Sequence, residues 1–292
     1  MEISDLLDTI KKAENGDKES QYVLGSLFID GNGVPKDEKK AFEWFKKSSD
    51  QGYSLAQHNL GIFYEEGIAT DKDEKKAFEL YKKAAEQGNE TAQCSLGQSY
   101  LMGTGTAVDE DKSFEWFKKS SEQGCSIGQL NLGFCYEMGL GTFIDHKKAF
   151  EWYKKSSDQG DMDGQFSLGR CYETGIGTSI DEKLAFYLYK LSAEQGSCLG
   201  QCHLGNCYLE GIGTSIDENV AFLWFNKSAE QGEEEGQYNL GMCYDNGAGT
   251  PVDHKLALEW FKKSAAQGNV DAKKGSIVFE SSSPTIVAIP SS

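Results

Sequence analysis

Residues 236–268 read GQYNLGMCYDNGAGTPVDHKLALEWFKKSAAQG, and the landmarks of that string return at a fixed distance along the chain. The dipeptide Leu-Gly occurs at Leu24-Gly25, Leu60-Gly61, Leu96-Gly97, Leu132-Gly133, Leu168-Gly169, Leu204-Gly205 and Leu240-Gly241, a 36-residue spacing without a slip in register. Gln-Gly keeps the same spacing from Gln51-Gly52 to Gln267-Gly268 and marks the end of each copy. Self-similarity at such a period is the signature of one supersecondary unit stacked on itself. With position 1 set at Asp17, seven copies occupy 17–52, 53–88, 89–124, 125–160, 161–196, 197–232 and 233–268.

Small or apolar residues at positions 4, 8, 11 and 12, such as Ala56, Leu60, Phe63 and Tyr64, fall on one face at 100° per residue. Positions 3 to 14 therefore read as an amphipathic helix A. A second stripe at positions 25, 26, 29 and 33, Ala41, Phe42, Phe45 and Ser49 in the first copy, defines helix B. Its outer face carries Glu four residues before Lys, as in Glu43 with Lys47, Glu79 with Lys83 and Glu151 with Lys155, a spacing that supports a solvated helix. Glycine at position 9 lets helix A approach helix B closely. The loop GIGTSIDE, at 175–182 and again at 211–218, has the look of a phosphate cradle. Its first Gly recurs in every copy where a left-handed stop to helix A is needed, and its Asp where helix B needs an N-cap. A carboxylate at that helix start repels phosphate, so the loop reads as a hinge.

One copy buries too few large side chains to offset the entropy of ordering 36 residues, so neighbours must stack and share a core. The expected fold is an all-α solenoid of antiparallel helix pairs. Residues 1–16 imitate the end of a helix B and read as an N-terminal capping helix. Residues 269–292 begin an eighth helix A, lose the pattern and end in the Ser/Pro-rich stretch SSSPTIVAIPSS, which reads as disordered.

The repeated small residue, Leu-Gly, Tyr, Gly-x-Gly, Asp, Ala and Trp-Tyr-Lys-Lys-Ala order resembles the Sel1-like repeat, a relative of the tetratricopeptide repeat with a longer loop between its helices. The departures are Ala69 for the second loop Gly, Ser113 for the helix-B Ala, and Leu80 and Leu188 for the Trp. The resemblance implies a right-handed superhelical solenoid acting as adaptor or scaffold, in a regulatory or signalling role. As an alternative, it admits a fragment or paralogue of a longer protein in which such repeats follow a kinase domain. A secreted, cysteine-stapled subtype linked to penicillin binding and hydrolysis carries a cysteine near position 33. Here position 33 is Ser or Ala in every copy, which points away from that enzyme class and towards a reducing cytoplasm.

Composition narrows the partners. The 292-residue chain has 46 acidic against 29 basic residues, a net charge of -17 and a single arginine, Arg170, so a nucleic acid would be repelled. The first residues lack a signal-peptide pattern and no apolar run of membrane-spanning length occurs, so no membrane insertion is expected. Phosphate-loop, zinc-helix, nucleophile-elbow and kinase motifs are missing from the sequence, and no cofactor, metal, obligate small molecule or catalytic residue is expected. Cys135, Cys171, Cys207 and Cys243 fall at core position 11. In copy six, Cys198 and Cys202 read as surface or interface thiols. Histidines, including His203, read as surface residues.

Positions 3, 6, 7, 10, 13 and 14 of helix A lie opposite the core stripe and vary from copy to copy. In tetratricopeptide-like solenoids this face lines the concave groove, so the resemblance implies that it chooses the ligand. The candidate partner-binding residues at positions 6 and 10 are Tyr22, His58, Ile62, Gln98, Leu130, Phe134, Phe166, Arg170, Asn206, Tyr238 and Met242. Ile62, Leu130, Phe134, Phe166 and Met242 are expected to be exposed apolar side chains, rimmed by acids such as Glu65, Glu66 and Glu173. An apolar groove with an acidic rim suits a basic or amphipathic segment of a partner protein.

Overall fold

In the computed structural model, which describes residues 3–282, the chain is all-α, with sixteen helices and no strand among those residues. Helix α1 (Ile3–Glu14) precedes the first copy. The copies then contribute pairs: α2 (Lys18–Asp30) with α3 (Glu38–Asp50), α4 (Ser54–Glu66) with α5 (Glu74–Glu86), α6 (Glu90–Met102) with α7 (Glu110–Glu122), and α8 (Ser126–Met138) with α9 (His146–Asp158). The remaining pairs are α10 (Met162–Thr174) with α11 (Glu182–Glu194), α12 (Cys198–Glu210) with α13 (Glu218–Glu230), and α14 (Glu234–Asn246) with α15 (His254–Gln267), followed by α16 (Val270–Ser282). Of the stretch expected to be disordered, Ser281 and Ser282 end α16, and residues 283–292 lie outside the described residues. Contacts divide the chain into two compact units, Met1–Trp152 and Tyr153–Ser292.

Local chemistry sets the helix ends. Each helix A stops on a glycine, from Gly31 to Gly247, whose φ lies between +68° and +79° and whose N–H donates to the carbonyl four residues back. Only a residue without Cβ takes that conformation at no steric cost. The loop aspartates then start helix B, for example Asp73, whose side chain accepts from the Lys76 backbone N–H at 3.0 Å. A second loop glycine is also left-handed, except in copy two, where Ala69 is held at φ +56°.

Helix A and helix B meet at position 9. A Cβ added to Gly97 would lie 2.7 Å from both Cδ1 and Cε1 of Phe117, whose side chain is fully buried. The core is shared between copies rather than enclosed within one. Ala41 and Phe45 of copy one cluster with Leu60 and Phe63 of copy two, and Ala221, Phe225 and Ala229 of copy six with Leu240 and Cys243 of copy seven.

A glutamine chain, buried at position 5 and exposed at position 35, reinforces this stacking. Gln at position 35 donates from Nε2 to the Oε1 of Gln at position 5 of the same copy: Gln51 to Gln21, Gln87 to Gln57, Gln123 to Gln93, Gln195 to Gln165, Gln231 to Gln201 and Gln267 to Gln237, at 2.7–3.0 Å. The position-5 amide in turn donates to a backbone carbonyl at the end of the preceding helix B, as Gln93 does to Ala85 at 3.2 Å and Gln201 to Ala193 at 3.3 Å. Both ends of a buried amide are thereby satisfied, the condition for placing it in a core.

On the outer face of helix B, Lys47, Lys119, Lys227 and Lys263 lie 3.6–3.9 Å from the ring centroids of Trp44, Trp116, Trp224 and Trp260. The sequence suggested partnership with Glu one turn away. The indole three residues back offers a large π-face on the same side of the helix, and the lysine rests there.

Candidate functional site

The variable face of helix A is less exposed than its helical wheel implies. Phe134, 39 % exposed, and Gln98 are open to solvent, whereas Tyr22, His58, Ile62, Leu130, Arg170, Asn206, Tyr238 and Met242 are half-buried. Phe166 departs furthest from expectation: it is 9 % exposed and packs in a cluster with Tyr189 and Leu204, its ring 5.1 Å from that of His203. The cause is the neighbouring copy. Position 6 of one helix A abuts position 7 of the next, a contact that a wheel drawn for one helix does not contain.

Those joints are chemically matched. His58 Nε2 lies 3.1 Å from Ser95 Oγ, the Asn131 amide donates to Cys94 Sγ at 3.6 Å, and the Asn239 amide to Cys202 Sγ at 3.6 Å. Cys202, expected at a surface or interface, is therefore buried, at 1 % exposure, while Cys198 is half-buried. His203 is likewise no surface histidine, since it sits against Phe166 and Tyr189 with Nδ1 3.7 Å from Glu173 Oε2. Part of the variation between copies thus records packing between neighbours rather than choice of ligand.

Position 13 shows a second internal match. Where position 29 is tyrosine, position 13 is glutamate: Tyr81 donates its hydroxyl to Glu65 and Tyr189 to Glu173, both at 2.6 Å. Where position 29 is phenylalanine, position 13 is Ile29, Leu101 or Leu209 in copies one, three and six, and in copy seven Asp245, which turns to His254 at 2.9 Å instead. Burial, assisted by the glutamate, raises both phenol pKa values, so these tyrosines stay protonated and donate. In Tyr189–Glu173–His203 that arrangement ties α10, α11 and α12 together. A phenol held protonated in a packed joint is a strut rather than a base.

In the first unit the face opens into a cleft of about 330 Å³ between α4, α6 and the start of α8. His58, Ile62 and Gln98 of the candidate residues line it, joined by Glu65, Cys94, Cys125, Ile127 and Asn131. Ile127 is 51 % exposed. Ile127 and Asn131 occupy positions 3 and 7, whose variability the sequence displays although the candidates were drawn from positions 6 and 10 alone. The cleft therefore combines an apolar wall, Ile62 and Ile127, with amide and hydroxyl donors and a carboxylate at its edge. Burial lowers the pKa of His58 and keeps its imidazole neutral near pH 7.

All eight cysteines are thiols, six of them buried. Burial pushes Cys135 and Cys207 up to about 12 and Cys243 to about 11, far from a thiolate nucleophile. Among the described residues no group of three or more His, Cys, Asp or Glu stands ready to hold a metal ion, and no helix is long and apolar enough to cross a membrane.

The model of the Sel1 repeat matches residues 18–53, 54–89, 91–125, 126–161, 163–197, 199–233 and 234–269. Among solved structures the chain is similar to c5321, a protective antigen present in uropathogenic Escherichia coli strains that displays the same repeat fold. The identity is 37% over 93% of this chain and 59% of that one, with a TM-score of 0.68. A Sel1 repeat protein from Oxalobacter formigenes is 31% identical over 91% of this chain and 77% of its own, also with a TM-score of 0.68. The immunity protein Pa5087 from Pseudomonas aeruginosa, at 17% identity over 73% of this chain and 81% of its own and a TM-score of 0.51, shares the fold alone. No curated protein matches the chain.

Proposed function

This chain belongs to the Sel1 repeat family, and we propose that it works as a non-enzymatic adaptor whose cleft between α4, α6 and α8 receives a segment of a partner protein. Sel1 repeat proteins are in general protein-interaction scaffolds. The observation that carries the reading is the coincidence of that cleft with copy-to-copy variation: its lining mixes residues locked in joints, His58 and Cys94, with residues open at its edge, Gln98 and Ile127. Half-exposed apolar side chains interleaved with polar groups are how an interaction surface differs from a plain solvated face. Glu65 at the cleft and the net charge of -17 favour a basic or amphipathic segment. A regulatory or signalling role in the cytoplasm is the setting that fits these features.

The test uses the intact chain in its native cell. Proximity labelling identifies neighbours, and binding of a purified basic neighbour is then measured by calorimetry against wild type and Ile127→Asp. Ile127 is exposed, so the substitution leaves the fold intact while placing a buried charge at the interface. Affinity is expected to fall by at least about tenfold, the equivalent of about 1.4 kcal/mol. Unchanged affinity in the variant sinks the assignment of this cleft.

A further inference from the structure

Position 28 carries a structural plug. Trp44 packs on the Ala13, Leu24 and Leu27 cluster, Trp116 on the cluster around Tyr81 and Leu96, and Trp224 and Trp260 do the same further along. Each indole thus closes the seam between its own helix B and the preceding one. In copy two the plug is Leu80, a smaller side chain that takes the place of the indole against Ala41, Phe45, Leu60 and Phe63 and is half-buried, as the indoles are. There the surface opens into a cleft of about 660 Å³ between α3 and α5, floored by Leu60, Tyr64 and Leu80. Leu188 makes the same replacement in copy five, yet it is buried, at 7 % exposure.

We propose that this cleft is a binding site for a small planar aromatic acid. Its shape argues for a planar ring, because equivalent seams in this chain are filled by an indole capped by a lysine three residues on. Lys83 is that lysine in copy two, and its ring is missing. A bound aromatic restores both the apolar packing and the cation–π contact. The charge argues for an acid. Although the chain is strongly acidic, this cleft is lined by four lysines, Lys46, Lys75, Lys76 and Lys83, against three carboxylates, Asp50, Asp73 and Glu79, with Asp73 paired to Lys76 at 2.9 Å. The extent argues for a small molecule over a partner's extended segment, since Trp44 and Trp116 close the neighbouring seams and leave an opening one copy long. Its volume falls in the range of ordinary ligand sites, about 300–1,000 Å³.

Indole-3-propionate is the probe. Titrated into the full-length protein, it is expected to saturate with a Kd of about 1 mM or tighter, the affinity that ordinary ligand efficiency gives a molecule of about 14 heavy atoms. Methyl signals of Leu60 and Leu80 should shift as it binds. Leu80→Trp fills the seam and should weaken binding at least about tenfold, with far-UV circular dichroism confirming the helices; if that variant misfolds, Leu80→Phe takes its place. The neutral probe indole-3-propionamide should bind several-fold more weakly than the acid, and Lys83→Gln should remove that preference. Absence of saturation up to about 10 mM, shifts confined to other methyls, or equal affinity in the filled variant overturns the proposal. Ile127→Asp should leave this binding unchanged, so that failure here and failure of the adaptor cleft are separate results.

Discussion

Replacing Gly97 by alanine sets two physical effects against each other, and the sign of the outcome decides between them. Gly97 lies inside α6, where alanine is favoured over glycine by about 1 kcal/mol on helix propensity alone. Against that gain, the new methyl would sit 2.7 Å from two atoms of the Phe117 ring, which is fully buried and cannot swing into solvent. Relieving such a clash requires α6 to move from α7 or the ring to leave its rotamer, at about 1–3 kcal/mol or more. The net expectation is a protein destabilised by up to about 2 kcal/mol, read as a lower urea midpoint at unchanged slope. The paired variant removes the obstacle. In a Phe117→Leu background, itself destabilised by the lost ring, Gly97→Ala should become neutral or stabilising, a coupling of about 1–3 kcal/mol in the double-mutant cycle. A Gly97→Ala protein more stable than wild type, or a coupling near zero, would falsify the claim that position 9 is glycine because of the ring opposite.

The remaining expectations concern strain, thiols and pH. Ala69→Gly should raise the urea midpoint, because about 1–2 kcal/mol of left-handed strain is relieved and exceeds the extra backbone entropy of glycine; a lower midpoint contradicts this. Gly105→Ala at the equivalent place in copy three should destabilise, since its Cβ would fall on the Glu74 carbonyl. A thiol reagent added to the native protein should modify Cys125 and Cys198 promptly and the six buried cysteines only on denaturation, as counted by mass spectrometry. For His58, burial lowers the native pKa below its unfolded value, so the unfolded chain takes up a proton that the native one refuses. Its contribution to stability is complete above about pH 6.5 and declines below it, by at most about 1.4 kcal/mol per pH unit. The loss of midpoint between pH 7.5 and 5.5 should therefore be smaller in His58→Gln than in wild type.

The repeating frame was legible because each of its elements is decided within one copy. Register, the left-handed glycine stop, the aspartate cap and the glycine facing an aromatic ring all follow from residues fewer than 36 apart, whose partners recur in every copy. What escaped a helical wheel lies between copies. Phe166 and Cys202 read as face residues because their partners, His203 and Asn239, sit 37 residues on, in a helix the wheel does not include. The position-5 glutamines were visible as a repeated polar residue beside the core stripe, and an unvarying polar residue at such a place was the available signal for a hydrogen-bonded chain. The Tyr81–Glu65 and Tyr189–Glu173 pairs were also readable, by comparing positions 13 and 29 across copies rather than along one. In the candidate cleft, His58, Ile62 and Gln98 come together, while Phe134 stands outside its lining. Which residues stay open there depends on how far each neighbour covers them, a quantity fixed by packing rather than by composition.

The two kinds of link between copies differ in what they permit a gene to do. The glutamine links described above use the same residues in each copy that shows them, so a crossover that deletes or duplicates a whole number of those copies leaves them intact, and chain length can drift at little cost in stability. The links between positions 6 and 7 are private: His58 fits Ser95, Cys94 fits Asn131 and Phe166 fits His203, and a shuffled order would set imidazole against thiol. Cys202 with Asn239 repeats the Cys94 with Asn131 match, so a deletion running from the end of copy three to the start of copy seven would still join cysteine to asparagine. Such a protein should fold at four copies, whereas one joining copy two directly to copy four should carry a mismatched seam. The number of copies is thus a loosely held variable, and their succession is an inherited text.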